Sequence, residues 1–297
     1  MENAPEKLTV AFDVRADSPR WIKSLVTLRA VVAGLLIAMI GANVWPLLLL
    51  NLGVPAATIM EGIFLALYVW WAGGGGPPRR WQVARAVAFR RKTLSRAQWI
   101  GGLVAAFFFA VTIHASLVLL FRFVPFPTRA FRQGYDFSFI PTLHLRWFAV
   151  VISAASAGIC EEIGFRGYMQ QPIELRHGTR VAIAISSFWF VVVHLSKSWV
   201  LVGMIPTVLG AGLLLGLLAW SSESLIPGMI GHIMMDVGLF AYWWSGIAGT
   251  FTARPISESG VDGPFVLACG AFTISLSIVL LAISKLRRRT KSNTENR

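Results

Sequence analysis

Charge is what this chain has least of. Of its 297 residues only 14% are Asp, Glu, Lys or Arg, against 56% that are hydrophobic, whereas a water-soluble domain is about 25% charged. That shortfall excludes an ordinary soluble core. Acids are the scarcer sign, 14 against 27 Lys and Arg, for a net charge of +13. The bases lie between long apolar runs, and no basic stripe with interleaved aromatics stands apart from them. Membrane topology and anionic headgroups account for them, and nucleic acid is not expected as a partner. The two cysteines, Cys160 and Cys269, both sit in apolar stretches, which excludes a disulfide framework and a Cys-rich zinc site. HExxH and GxSxG are also missing, so neither the commonest zinc-protease signature nor the serine nucleophile elbow is present. The N-terminal stretch has no short apolar core followed by a small-residue cleavage site, so the first apolar run is expected to stay as an anchor.

What is there is a series of apolar runs near the ~20 residues that a transmembrane helix needs. They lie at roughly 25–50, 55–71, 99–121, 147–162, 181–195, 200–220, 228–244 and 264–284. The expected fold is all-α: about eight transmembrane helices in one bundle around a polar intramembrane cavity. The membrane domain covers 25–284, between a cytoplasmic tail at 1–24 and a basic cytoplasmic tail at 285–297. Gly73 to Gly76, Pro77 and Pro78 break the chain after the second run. Residues 79–98, with Arg79, Arg80, Arg85, Arg90, Arg91, Lys92 and Arg96 among Trp81, Val83, Ala86 and Phe89, read either as a surface helix on anionic headgroups or as a positive-inside loop. Both readings put this segment in the cytoplasm. Eight crossings place both termini there too, in the cell membrane, N-in and C-in.

Ionisable groups inside apolar runs are the informative residues. Each costs roughly 2.5–3.5 kcal/mol at a helix centre, so it must pair, face a cavity or work. Three patterns occur. In Glu161-Glu162-Ile163-Gly164-Phe165-Arg166-Gly167, Glu162 and Arg166 share a helix face and suit an ion pair. Glu161 is turned by about 100° and is free to face a cavity as a general base. In Phe190-Val191-Val192-Val193-His194 the imidazole ends an apolar run. In His232-Ile233-Met234-Met235-Asp236 two polar groups again share a face. Singly, each has a plain structural reading; together, on successive runs, they suit one site.

The order EExxxR, FxxxH, HxxxD resembles the CPBP family of intramembrane proteases, which comprises the CAAX prenyl endopeptidases and the bacteriocin-processing or immunity-related Abi proteins. The resemblance covers residues 145–245. It implies an intramembrane endopeptidase in which Glu161 and His194 activate water and Glu162–Arg166 is the structural pair. His232, with the residue four later, would stabilise the oxyanion. The substrate would be a peptide or protein in the membrane, cut near the C-terminus if it is prenylated. The departure is Asp236, where the CAAX branch has Asn: an ionised Asp cannot donate a hydrogen bond.

Alternatives remain at this level. Glu161, His194, His232 and Asp236 are all possible zinc ligands, although the favoured mechanism needs no metal or other cofactor. Cys160 reads as a small packing residue. An inactive membrane partner or immunity protein, or a proton-coupled transporter, could use the same polar residues. Glu61 could pair with Arg29, and His114 reads as a hydrogen-bonded interior histidine. Access is expected from the cytoplasmic leaflet, near 167–180, a point that cysteines at 177 and 197 would report.

Overall fold

The computed structural model describes residues 20–90, 92–132, 136–195 and 204–295. Most of the N-terminal tail, Arg91, the start of the sixth apolar run and position 197 therefore lie outside the described residues. Among those described, every regular element is helical. Hydrocarbon leaves no alternative for such apolar runs, because each backbone N–H and C=O must find its partner within its own segment.

In chain order, α1 (Arg20–Leu52) and α2 (Val54–Ala72) form a hairpin, followed by the short α3 (Gln82–Ala88). Next come α4 (Arg96–Phe123), the short α5 (Thr128–Arg132), and α6 (Leu143–His177), then α7 (Thr179–His194) and α8 (Ile205–Ser222). The last are α9 (Ile226–Gly238), which runs on as a π-helical stretch (Leu239–Trp244), the short α10 (Ile256–Ser259), and α11 (Gly263–Glu295). Six of these, α1, α2, α4, α6, α8 and α11, are long and apolar enough to cross a membrane. Among the described residues six helices, not the expected eight, meet that measure. At 16 residues α7 spans only about 24 Å at 1.5 Å per residue. The apolar length of α9 is interrupted by His232 and Asp236.

The fourth run does not end at Glu161 and Glu162 as expected. Its helix continues through both to His177, because the polar residues that follow, Arg166 and Gln170, are fully buried and bonded to the α8 carbonyls of Gly212 and Gly216. Small residues let α1 cross this stretch closely. A Cβ on Gly164 would lie 2.6 Å from Ala38 Cβ, one on Gly34 2.7 Å from Met169 Cβ, and one on Gly41 2.7 Å from Cys160 Sγ. Cys160 is the packing residue the sequence suggested.

The bundle has two distinct ends. One carries the connections 73–95 and 223–225, with Gly178 between α6 and α7. Contacts tie it together: Arg90 to Glu174 (2.6 Å), and both Lys92 and Arg287 to Glu223. The segment 79–98 is not one surface helix. It is a 3-10 turn (Arg79–Trp81) and α3, and two of its bases point inward. Arg85 donates to the carbonyls of Gly75, Gly76 and Pro78, and Arg90 to Arg166 O on α6. The carbonyls of the glycine-rich break attract Arg85, and Glu174 with an α6 carbonyl attracts Arg90, a pull that charge counting does not reveal. Arg90 is desolvated enough that burial pulls its pKa down, against the opposing field of Glu174.

The opposite end carries 124–142 and 245–262, closed by Arg122 with Asp262 Oδ1 (2.7 Å) and Ser259 Oγ (2.8 Å). Glu61 does not pair with Arg29: it is fully buried and faces Ser156 of α6, whereas Arg29 is exposed.

Candidate active site

Glu161 is the last residue of the α-helical part of α6, and Glu162 opens a π-helical stretch, Glu162–Gln170. Such wide turns are rare and recur at functional sites. Antiparallel to α6 runs α9, brought close by two glycines. A Cβ on Gly158 would meet Ile233 Cγ1 at 2.7 Å, and one on Gly228 would meet Glu162 Oε2 at 3.0 Å. This proximity seats His232 of α9 against the two glutamates of α6.

Glu162 and Arg166 form the ion pair that their spacing suggested, Oε1 to Nη1 2.9 Å, with neither side chain exposed. The same Oε1 lies 3.0 Å from His232 Nδ1. A carboxylate can only accept, so Nδ1 carries hydrogen and the ring's orientation is fixed by Glu162. Glu162 is therefore more than half of a structural pair, a role its i, i+4 spacing to Arg166 does not disclose. His232 Nε2 then faces Asp236 Oδ2 at 3.6 Å and Glu161 Oε2 at 3.9 Å. Both separations exceed a hydrogen bond and fit a bridging water or substrate atom. Glu161 Oε2 is buried with no hydrogen-bond partner among the described residues.

Phe190 of α7 braces this group. Arg166 lies over its ring at 4.5 Å, and its centroid is 4.5 Å from that of His194 and 6.0 Å from that of His232. His194 Nδ1 lies 2.6 Å from Phe190 O. It donates there, and in the neutral ring Nε2 is then an acceptor.

Glu161, His194, His232 and Asp236, from three helices, all line one cavity of about 80 Å³, room for about two waters at ~30 Å³ each. Apart from these four and Thr207 the lining is apolar, which strengthens any charge interaction inside. The cavity continues past Val208 and Phe240 to Leu117, Met204 and Trp244. On the side of 167–180 lie Phe165, Arg166 and Gln170, and at the other end Leu117, Met204, Phe240 and Trp244, none of them exposed.

His114 of α4 was expected only to satisfy itself, and its place is more specific. Its Nε2 lies 3.1 Å from Met235 O, and Trp243 Nε1 donates to its Nδ1 at 3.1 Å, which fixes the hydrogen on Nε2. A Cβ on Gly238 would lie 2.4 Å from Nε2, so that glycine admits the ring. His114 thus holds α9 one residue before Asp236. As for a metal, among the described residues no three His, Cys, Asp or Glu side chains stand in a ligating group. With Nδ1 held by Glu162, Nε2 is the ring nitrogen of His232 that faces the cavity.

Residues 142–238 match the family model of the type II CAAX prenyl endopeptidases, Rce1-like. Searches of curated proteins and of solved structures returned no match. The matched stretch runs from the residue capping α6 to the last residue of α9 and contains the EExxxR, FxxxH and HxxxD motifs in order. That match supports the CPBP/CAAX protease family for the motif-bearing core of this multi-pass membrane protein.

Proposed function

We propose that the chain is an intramembrane endopeptidase that hydrolyses a peptide bond with water activated by Glu161 and His194. One observation carries this reading: Glu161, His194, His232 and Asp236 line a single cavity although they come from three helices. Glu161 takes a proton from water as the oxygen attacks the scissile carbonyl, and His194 Nε2 orients that water. The carbonyl oxygen gains the charge and accepts a hydrogen bond from Nε2–H of protonated His232, whose Nδ1–H is held by Glu162. As the C–N bond breaks, Glu161 returns its proton to the leaving amine. No step passes through a metal.

In this reading α7 and α9 also cross the membrane, giving eight crossings with both termini cytoplasmic. The exposed Arg79, Arg80 and Trp81 rest on anionic headgroups. The test uses reconstituted protein with a mixture of membrane peptides. Cleavage is expected from the wild type, with and without a chelator, and is lost in Glu161→Gln, since removing a general base costs about 10²–10⁴-fold. Cleavage abolished by the chelator and restored by zinc would replace this mechanism with a metal-dependent one.

A further inference from the structure

We infer that the groove between α1 and α7 binds an anionic phospholipid of the surrounding bilayer, with one acyl chain in the groove and the phosphate at Thr27, His177 and Arg180. This site is separate from the cavity that holds Glu161, and it does not rest on the protease reading.

The first observation is shape. The groove has a volume of about 640 Å³, within the ~300–1,000 Å³ of ordinary ligand sites. Leu28 and Val31 of α1 form one wall, and Val181, Ala184, Phe188 and Trp189 of α7 form the other. Leu28, Val181, Ala184 and Phe188 are exposed, so the groove is open to the bilayer. At about 100° per residue, Val181 and Phe188 lie roughly 160–180° around α7 from Phe190, whose ring packs on His194. The groove is therefore on the back of the helix that serves the site. From Thr179, where α7 begins, to Trp189 the helix rises ~15 Å at 1.5 Å per residue. That is half of a hydrocarbon core ~30 Å thick, the depth of one leaflet's acyl chains.

The second observation is chemistry. The polar groups of the lining stand together at one end, where Thr27 Oγ1 and His177 Nε2 lie 2.8 Å apart. The rest of the lining is apolar. A peptide lying there would bury backbone N–H and C=O groups with nothing to bond, whereas an acyl chain has none to satisfy.

Charge selects the headgroup. The stretches 18–60 and 175–222, which supply both walls, contain no Asp or Glu. Within four residues of Thr27 or His177 in the sequence stand Lys23, Arg29, Arg176 and Arg180. The acid next in the chain, Glu174, is paired with Arg90 at 2.6 Å. Arg180 is exposed, and it lies one turn before Ala184 on the same side of α7. A base at headgroup level contributes ~1 kcal/mol to holding an anionic lipid, so a lipid with net negative charge is preferred to a zwitterionic one.

The test uses the full chain in phosphatidylcholine vesicles that hold a small fraction of phosphatidylglycerol with a photoreactive acyl chain, or of phosphatidylcholine with the same label. After irradiation the adducts are located by peptide mass spectrometry. Over 25–31 and 181–189 the phosphatidylglycerol label is expected at about fivefold the yield of the phosphatidylcholine label, the ratio equivalent to ~1 kcal/mol. The exposed Leu267 and Ile274 of α11 are expected to take both labels equally. Arg180→Gln is expected to bring the two labels in the groove to near parity, and Ala184→Trp, which fills the groove, to remove both. Should Ala184→Trp fail to insert, Arg180→Gln at its exposed position still decides the matter. Equal yields from the two labels in the wild type would make the groove an ordinary lipid boundary and overturn the site. An absence of groove adducts with either label would overturn it too, because another segment of the chain or a second copy would then cover the groove. Displacement of the label by a prenylated peptide, but not by unlabelled phosphatidylglycerol, would assign the groove to a substrate instead.

Discussion

His232 is the residue around which the site is organised. Glu162 fixes one ring nitrogen, and the other looks toward Glu161 and Asp236. Three carboxylates thus surround one imidazole, with Arg166 the guanidinium that offsets them. If His232 is the oxyanion donor, Asp236 need not be ionised. Asp236→Asn, which gives the residue found in the CAAX branch, is then expected to keep cleavage within about tenfold of wild type, a barrier change of about 1.4 kcal/mol. Asp236→Leu is expected to lose it, and kcat on one substrate separates the two. The Glu162–Arg166 pair makes a different prediction. Removing one member leaves the other charge buried alone, so Arg166→Met is expected to destabilise the fold by about 3–5 kcal/mol, read as a lower unfolding midpoint in detergent. An unchanged midpoint would show that the pair is not structural. The sequence disclosed these residues because an ionisable group inside an apolar run is conspicuous. It did not disclose that Glu162 also orients His232, because that contact joins residues 70 positions apart and depends on glycines at 158 and 228 that no spacing rule singles out.

At the scale of elements, α6 does the positioning. Its π-helical stretch sets Glu161 and Glu162 at the junction of two helical geometries, and α1 lies against it through Gly34, Ala38 and Gly41. Gly164→Leu is expected to force α1 away and cost both stability and cleavage, whereas Gly62→Leu, where a Cβ meets nothing within 4 Å, is expected to change neither. Equal loss in both variants would mean that the crossing does not matter. The brace on α9 from His114 gives a finer test. His114→Asn, which keeps a side-chain N–H for Met235 O, is expected to retain more kcat than His114→Phe at similar yield. Equal kcat in the two would reduce His114 to a packing residue. Helix existence was legible from hydropathy, but helix ends were not. Hydropathy stops at the first charge, while α6 continues past Glu161 because the charges beyond it are paired inside the protein. The inward turn of Arg85 and Arg90 escaped for a related reason: their partners are backbone carbonyls and one glutamate on a distant helix.

Taken whole, the molecule is a helical bundle with unlike ends. The end that carries 73–95 is basic and knitted together by Arg90, Lys92 and Arg287. The end that carries 124–142 and 245–262 is less basic. Composition gave the membrane class, and the three motifs gave a family resemblance that the match over 142–238 supports. That Glu161, His194, His232 and Asp236 line one cavity depends on how three helices pack, which no spacing along the chain discloses. The central claim, that this cavity hydrolyses peptide bonds through Glu161, is tested most directly by comparing peptide termini in membranes of cells carrying the wild-type chain or Glu161→Ala at matched expression. New termini that appear only with the wild type are the predicted result. Identical profiles from two folded, inserted proteins would contradict the account.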